Sequence, residues 1–126
     1  MEVIKILLVD DEEINRKIIM YSLNKEIYEF IESENGISAI EKLKETDIDI
    51  ILLDLMMPEM DGFEFLSWKQ KQEDYKNIPV IVNSALMDMD NIVRAMELGV
   101  YEYFTKPLQS DVLKYQLPLK IRNAVN

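Results

Sequence analysis

The chain has 126 residues, of which 48% are hydrophobic, so it is long enough for one domain with a core of its own. A net charge of −10 argues against direct binding of nucleic acid, which depends mostly on neutralising phosphates, and suits a domain that collects a metal ion and meets a basic partner. The absence of cysteine and histidine excludes thiolate chemistry, the usual zinc ligands and a phosphohistidine carrier.

Strands and helices are predicted to alternate along the chain. Ile4–Val9 is a continuous apolar run, which is typical of a strand buried on both faces. The acids at 11–13 then favour a helix start, and Ile14, Ile18 and Tyr21 follow at helical spacing. The later elements are predicted as strand Tyr28–Ser33, a helix from Ile37 to about Lys44, strand Ile48–Leu53, a helix with Phe63, Leu66 and Trp68, strand Pro79–Val82, a helix from about Met89 to Leu98, strand Tyr103–Thr105 and a helix from about Ser110.

Two helices carry more detailed predictions. On the third helix, Trp68 is expected to be partly buried rather than fully exposed for a partner. On the fourth helix, we expect Ile92, Val93 and Met96 to face the core and Gly99 to cap the C-terminus.

Five strand–helix units with short connections imply one α/β domain over residues 1–126, with a parallel sheet and helices on both faces. Pro118 interrupts the last helical pattern, where it would lose the bond to the Lys114 carbonyl and kink or end the helix. Residues from about 119 to 126 are therefore expected to begin a connection to something beyond this chain. No apolar stretch reaches the ~18 residues of a membrane span and no signal-peptide pattern is present, so we expect a cytoplasmic protein without membrane contact.

Reactive side chains follow four of the predicted strands. Asp10 and Asp11 follow the first strand, Asp54 the third, Ser84 the fourth and Lys106 the fifth. Each alone has an ordinary explanation as a helix cap, a turn residue or a solvated charge. Together they meet at the edge where open α/β sheets bind ligands. Because clustered carboxylates raise one another's pKa unless a cation lies among them, the sequence predicts a divalent-metal site with a reactive aspartate.

Four segments add a family resemblance: Ile6–Glu12, Leu53–Gly62, Asn83–Ala85 and Gly99–Pro107. In this order and at this spacing, the chain resembles the receiver domain of bacterial two-component response regulators, the CheY-like family, over nearly its whole length. The resemblance implies a flavodoxin-like (βα)5 fold with a five-stranded sheet in the order 2-1-3-4-5. It also implies a phosphorylation-controlled signalling switch that catalyses its own phosphorylation and slow dephosphorylation but is not primarily an enzyme.

Carried over by position, the resemblance implies a role for each acid of the site. Asp54 would be the phosphoacceptor, and the donor would be a phosphohistidine of a sensor histidine kinase or a phosphotransfer protein. Asp10, Asp11, Asp54 and the backbone carbonyl of Met56 would hold Mg²⁺. Oxygen ligands are what Mg²⁺ requires, and phosphoryl transfer depends mainly on positioning and charge neutralisation.

The remaining site residues are assigned to binding the phosphoryl group and to switching. The resemblance implies that Ser84 and Lys106 bind phosphoryl oxygens, that the Lys106–Pro107 bond is cis, and that Tyr103 turns inward after phosphorylation. The surface of the fourth helix, fifth strand and fifth helix would then change its partner preference. A C-terminal output domain and a phosphorylation-dependent dimer are further implied possibilities.

Three other functions compete with the switch. A haloacid-dehalogenase-type phosphatase needs a second acid two residues after the nucleophile, where this chain has Met56. A flavin or nucleotide binder needs a glycine-rich loop after the first strand, where acids 10–13 would repel phosphate. A degenerate receiver would lack part of the site, which is complete here. The apolar Met56 and Leu86, at positions that tune hydrolysis in the family, predict slow self-dephosphorylation.

Overall fold

The computed structural model describes residues 2–126, which form alternating strands and helices. The element boundaries differ from the predicted ones by one or two residues, because the ends of strands and helices carry the weakest sequence signal. None of the helices within residues 2–126 combines the length and the apolar character that crossing a membrane requires. The elements are β1 Ile4–Val9, α1 Glu13–Ser22, β2 Tyr28–Ser33, α2 Gly36–Glu45, β3 Ile50–Leu53, α3 Gly62–Gln70, β4 Val80–Ser84, α4 Met89–Glu97, β5 Glu102–Thr105, a π-helical turn Val112–Gln116 and α5 Leu117–Val125.

The five strands form one parallel sheet in the order β2-β1-β3-β4-β5, which confirms the predicted fold class. The register aligns the strand ends. Val9 lies opposite Leu53, and Leu53 lies opposite Val82. Ser84, the last residue of β4, lies opposite Thr105, the last of β5. The residues that follow these strands therefore emerge at one edge of the sheet.

Alternate residues of the central strands supply two apolar layers, one on each face of the sheet. Both layers are closed by helices, so the central strands are buried on both sides and read as unbroken apolar runs. One layer combines Leu7, Val9, Ile51, Leu53, Val80 and Val82 with side chains of α2, α3 and α4, and the other combines Ile6, Leu8, Ile50, Leu52 and Ile81 with side chains of α1 and α5.

The predicted inward face of α4 is wrong for two of its three residues. Val93 is 43% exposed and Met96 is 48% exposed, whereas Ala95 is fully buried and Ile92 is half-buried. The helix packs through its smallest side chain, so its core-facing side is narrow and the longer apolar residues lie on the adjacent side. Gly99 has the positive φ, +86°, expected of the glycine that ends a helix.

The apolar residues at helical spacing on α1 also lie on the outside. Ile14, Ile18 and Tyr21 are 68%, 46% and 77% exposed, and the helix is anchored to the sheet by the buried Ile19. Periodicity identified the helix but not which of its apolar residues face the core. We refer to Ile14, Ile18 and Tyr21 as the α1 stripe.

The last helical segment continues through Pro118. The sequence predicted that this proline would either kink the helix or end it, and the helix does not end there. A π-helical turn, Val112–Gln116, precedes α5, and the Leu117 N–H donates to the carbonyl of Val112. The wider turn leaves Pro118 at the start of α5, where a missing N–H costs little. Ile121, one turn further on, is fully buried against the sheet.

Candidate functional site

Residues from three distant parts of the chain meet at the carboxyl edge of the sheet. The Lys106 ammonium nitrogen lies 2.7 Å from Oδ2 of Asp10 and 3.1 Å from Oδ2 of Asp54. The peptide bond between Lys106 and Pro107 is cis, as predicted. Of the three carboxylates predicted to meet one ammonium at this edge, Asp10 and Asp54 form ion pairs that share Lys106, whereas Asp11 is exposed beside them.

Asp10 is held by its backbone as well as by its side chain. Its N–H donates to the carbonyl of Ser33 at the end of β2, 3.0 Å away. Its Oδ1 accepts a 2.9 Å bond from the N–H of Glu12, and its own carbonyl accepts a bond from the Arg16 guanidinium. The side chain is buried, with 6% of the residue exposed. Asp10 is thus held at its N–H, its carbonyl and its side chain.

Asp54 is a buried carboxylate at the end of β3. Its N–H donates to the Val9 carbonyl at 2.8 Å, and its Oδ1 accepts a 3.1 Å bond from the N–H of Met56. Burial raises the pKa of Asp54, and the Lys106 charge opposes that rise only in part. For Lys106, burial alone would lower the pKa, but the bond to Asp10 and the charge of Asp54 leave it raised. The lysine therefore stays protonated beside the carboxylate.

Ser84 and Tyr103 lie close to the site but bond to the loop after β4. The fully buried Ser84 accepts a 3.3 Å bond at Oγ from the N–H of Leu86, and its carbonyl accepts a 2.8 Å bond from the N–H of Lys106. The Tyr103 hydroxyl donates to the Leu86 carbonyl at 2.6 Å, and burial raises the pKa of this phenol. Both side chains thus meet at the backbone of one loop residue.

The acidic turn offers donors that suit a divalent cation. Carboxylate oxygens of Asp10, Asp11 and Glu12 lie within 4.8 Å of one another, and the last two residues are exposed. Such hard oxygen donors fit Mg²⁺. The sequence prediction did not include Glu12, although it directly follows the two aspartates. Asp54 accepts a hydrogen bond from the Met56 N–H. This contact does not involve the Met56 carbonyl, whose role as a metal ligand stays a prediction.

Two further polar residues at this edge were missed by the sequence reasoning. Arg16 on α1 is largely buried and joins the Asp10 carbonyl to Glu32 on β2. Asn83 on β4 is 8% exposed, and its Oδ1 has no hydrogen-bond partner among residues 2–126. Both side chains line a small cavity with Asp10 and Asp54. An arginine in a helix and an asparagine in a strand carry no pattern that marks them as neighbours of the site.

Comparisons with known proteins identify the family to which the chain is similar. The family model described as the response regulator receiver domain matches residues 6–117. Sporulation initiation phosphotransferase F of Bacillus subtilis (strain 168) is 37% identical over 120 residues, covering 92% of this chain and 95% of that protein. Transcriptional regulatory protein ResD of the same organism is 37% identical over 120 residues, covering 95% of this chain but 49% of its own length.

Solved structures show the same architecture. The chemotaxis response regulator CheY4 of Vibrio cholerae superposes with a TM-score of 0.84 at 26% identity, covering 94% of this chain and 99% of that one. The chain belongs to the family of response regulator receiver domains, and it is a phosphorylation-controlled signalling module.

Proposed function

We propose that Asp54 is the residue that becomes phosphorylated, and that the ion pair it shares with Lys106 is the resting form of the site. The observation that supports this most is a buried carboxylate whose Oδ2 lies 3.1 Å from a fixed ammonium. One carboxylate oxygen attacks the phosphorus of the donor, a new O–P bond forms, and the bond to the leaving nitrogen or oxygen breaks. The leaving group departs with the electron pair of that bond.

The neighbouring residues supply positioning and charge, which is most of what phosphoryl transfer requires. The Met56 N–H orients the Asp54 carboxylate, and the Lys106 ammonium is placed to pair with a phosphoryl oxygen. Asp10 and Asp11 would hold Mg²⁺, with Asp54 and the Met56 carbonyl completing the protein ligands. When bound, the ion neutralises charge on the transferring oxygens.

The loop after β4 is the proposed switch. A phosphoryl group on Asp54 offers the Ser84 hydroxyl a strong acceptor, so Oγ moves toward it and gives up the bond that it accepts from the Leu86 N–H. The loop then moves, and Tyr103 loses its bond to the Leu86 carbonyl and turns inward. The partner surface of α4, β5 and α5 changes as a population shift, driven by the better fit of the phosphoryl group to one state. Its exposed apolar residues include Met89, Val93, Met96 and Tyr101.

The phosphodonor is proposed to be a histidine kinase or a phosphotransfer protein that docks beside α1. A groove of about 370 Å³ runs between α1 and the loop after β5, reaches Lys106, and has Ile18 and Leu108 in its walls. The exposed α1 stripe continues this apolar surface outward. A partner with a basic surface would complement the net charge of −10.

The setting of the domain in a cell remains part of the proposal. The chain spans 95% of the phosphotransferase that it resembles but about half the length of the transcriptional regulator. The stretch from about residue 119, which is part of α5 and is packed on the sheet at Ile121, is proposed to lead into a linker to an output domain. A cytoplasmic location, a phosphorylation-dependent dimer and the absence of direct nucleic-acid binding by this domain complete the proposed picture.

Incubation with acetyl phosphate and Mg²⁺, followed by intact-mass analysis, tests the assignment of Asp54. We expect one added phosphoryl group on the native chain and none on Asp54→Asn. Asp74→Asn, which alters an exposed aspartate on the α3–β4 connection, is the matched control and should be phosphorylated normally. A phosphoryl group on Asp54→Asn, or none on the native chain, would refute the assignment.

A further inference from the structure

We infer that Arg16 is a positioning residue for divalent-metal binding: its guanidinium ties the Asp10 carbonyl to Glu32 and so sets the course of the acidic turn 10–12. This inference rests on the proposed function, since it concerns the metal site that would assist phosphorylation of Asp54. It assigns a role to an ion-pair cluster outside the residues that would touch the phosphoryl group.

Arg16 makes two directed contacts from a largely buried position. Its side chain is 13% exposed, Nη1 donates to the Asp10 carbonyl, and Nε donates to Oε1 of Glu32 at 2.9 Å. Glu32 lies on the edge strand β2, opposite Leu8 of β1. Lys17 binds the other oxygen of Glu32 at 3.0 Å from a more exposed position, and Arg16 is the first cause of the lowered pKa of Glu32. The carboxylate therefore stays ionised and holds the guanidinium in place.

The contacts of Arg16 act on the backbone from which the metal ligands project. The Asp10 N–H is already bonded to Ser33 of β2, so Arg16 ties the carbonyl of the same residue to the same strand. With both ends of this residue tied to β2, the direction in which the chain leaves for Asp11 and Glu12 is set. Only a planar guanidinium can donate in two fixed directions at once, which a lysine ammonium does not reproduce.

Removal of Arg16 would change the affinity for Mg²⁺ in two opposite ways, one through its charge and one through its positioning contacts. Variants that differ in charge can therefore separate the two effects. A positive charge close to the acidic turn repels a divalent cation, and its loss alone would tighten Mg²⁺ binding. Loss of the positioning contacts would weaken binding, because groups that orient metal ligands contribute about 10- to 100-fold to affinity. Arg16→Lys keeps the positive charge and removes the planar guanidinium with its two directed hydrogen bonds, whereas Arg16→Gln removes both the charge and the guanidinium.

Calorimetric titration of the full chain with MgCl₂ is the test. We expect about tenfold weaker Mg²⁺ binding for Arg16→Lys, and a smaller loss for Arg16→Gln because removal of the positive charge offsets part of the effect of the lost contacts. Lys17→Gln is the matched control, since it removes the other cation on Glu32 without touching Asp10, and its Mg²⁺ affinity should stay at the native value. Faster amide hydrogen exchange at Asp11 and Glu12 in Arg16→Lys, with an unchanged melting temperature in the absence of metal, would support positioning rather than general loss of structure.

Two results would overturn the inference. One is native Mg²⁺ binding by Arg16→Lys, which keeps the charge and loses the two directed contacts, and which would mean that Arg16 acts through charge or not at all. The other is an equal loss of affinity in Arg16→Lys and Lys17→Gln, which would place the effect in Glu32 rather than in the contact with Asp10. Normal Mg²⁺ binding by the native chain without phosphorylation of Asp54 would instead refute the proposed function and leave this inference standing.

Discussion

At the scale of single residues, one lysine balances two buried carboxylates. The Lys106 ammonium is shared by Asp10 and Asp54, so a metal ion that binds Asp10 must compete with an ion pair already present. The three residues were predictable, because each directly follows a predicted strand and the carboxyl ends of parallel strands share one edge. Arg16 and Asn83 were not, because burial in the fold, not local pattern, makes them neighbours of the site.

We expect the lifetime of the proposed aspartyl phosphate to depend on two residues beside the site. Met56 is 53% exposed and Leu86 is half-buried, and neither side chain can orient an attacking water by a hydrogen bond. We expect slow loss of the phosphoryl group from the native chain, and loss about tenfold faster or more in the double variant Met56→Asn, Leu86→Glu.

Loss of the added mass with time measures this lifetime. Met87→Asn, a change of the same chemistry at an exposed neighbouring position, is the control and should leave the lifetime unaltered. A native lifetime of seconds that more apolar substitutions fail to lengthen would count against the prediction.

Lys69 is a buried cation that the proposed switch does not use. It is 5% exposed, donates to the Lys76 carbonyl at 3.1 Å, and its pKa is lowered by burial from 10.5 to about 8. Between these two values the unfolded chain binds the proton that the folded chain has released, so the free energy of unfolding rises as pH increases from about 8 to 10.5. Lys69→Met should abolish this rise and add about 1 kcal/mol of stability near pH 7.

Urea denaturation across that pH range measures the free energy of unfolding and its dependence on pH. Lys71→Met alters an exposed lysine just beyond the same helix and should retain the native pH dependence. A Lys69→Met variant that is less stable than the native chain at pH 7 would show that the bond to Lys76 outweighs the cost of burying the charge.

At the scale of elements, the sequence predicted which segments are helices and strands but not how every helix is turned. Alternating apolar runs identify buried strands, and apolar spacing identifies helices. On α4, however, Val93 and Met96 are exposed, because contact with the sheet is made through the small Ala95. The π-helical turn before Pro118 was equally unpredictable, since local sequence indicated only that the regular helix had to change there.

The approach of α3 to β3 depends on a single glycine. A Cβ atom at Gly62 would lie 2.7 Å from both the Asp54 carbonyl oxygen and the Leu55 Cα, which are backbone atoms beside the site. The α3 N-terminus would have to move, so we expect Gly62→Ala to lower the free energy of unfolding by about 2 kcal/mol and to slow phosphorylation by acetyl phosphate.

Gly36→Ala provides the comparison for this prediction. A Cβ atom at Gly36 would meet side-chain atoms of Met60, of which Cγ and Sδ can move by rotation, whereas the nearest atoms at Gly62 include backbone, so Gly36→Ala should cost less than Gly62→Ala. Equal stability of the two variants in urea denaturation would show that the backbone contact at Gly62 is not tight.

At the scale of the whole molecule, the fold creates the site by bringing together residues far apart in the chain. Lys106 is 96 positions from Asp10 and 52 from Asp54, and the sheet order places all three at one edge. This convergence was predictable, because parallel strands in a (βα)5 fold share a carboxyl edge. Individual contacts, such as the shared lysine and the bonds of Ser84 and Tyr103 to Leu86, required the structure.

The central claim is that Asp54 accepts a phosphoryl group at a site completed by magnesium. A crystal structure of the chain with Mg²⁺ and beryllium fluoride, a mimic of the bound phosphoryl group, tests it most directly. We expect the beryllium bonded to a carboxylate oxygen of Asp54, the Mg²⁺ on Asp10 and Asp11, and the Lys106 ammonium moved from Asp10 to a fluorine atom. A fluoride elsewhere, or Lys106 still bridging the two aspartates with no ion beside them, would contradict the account.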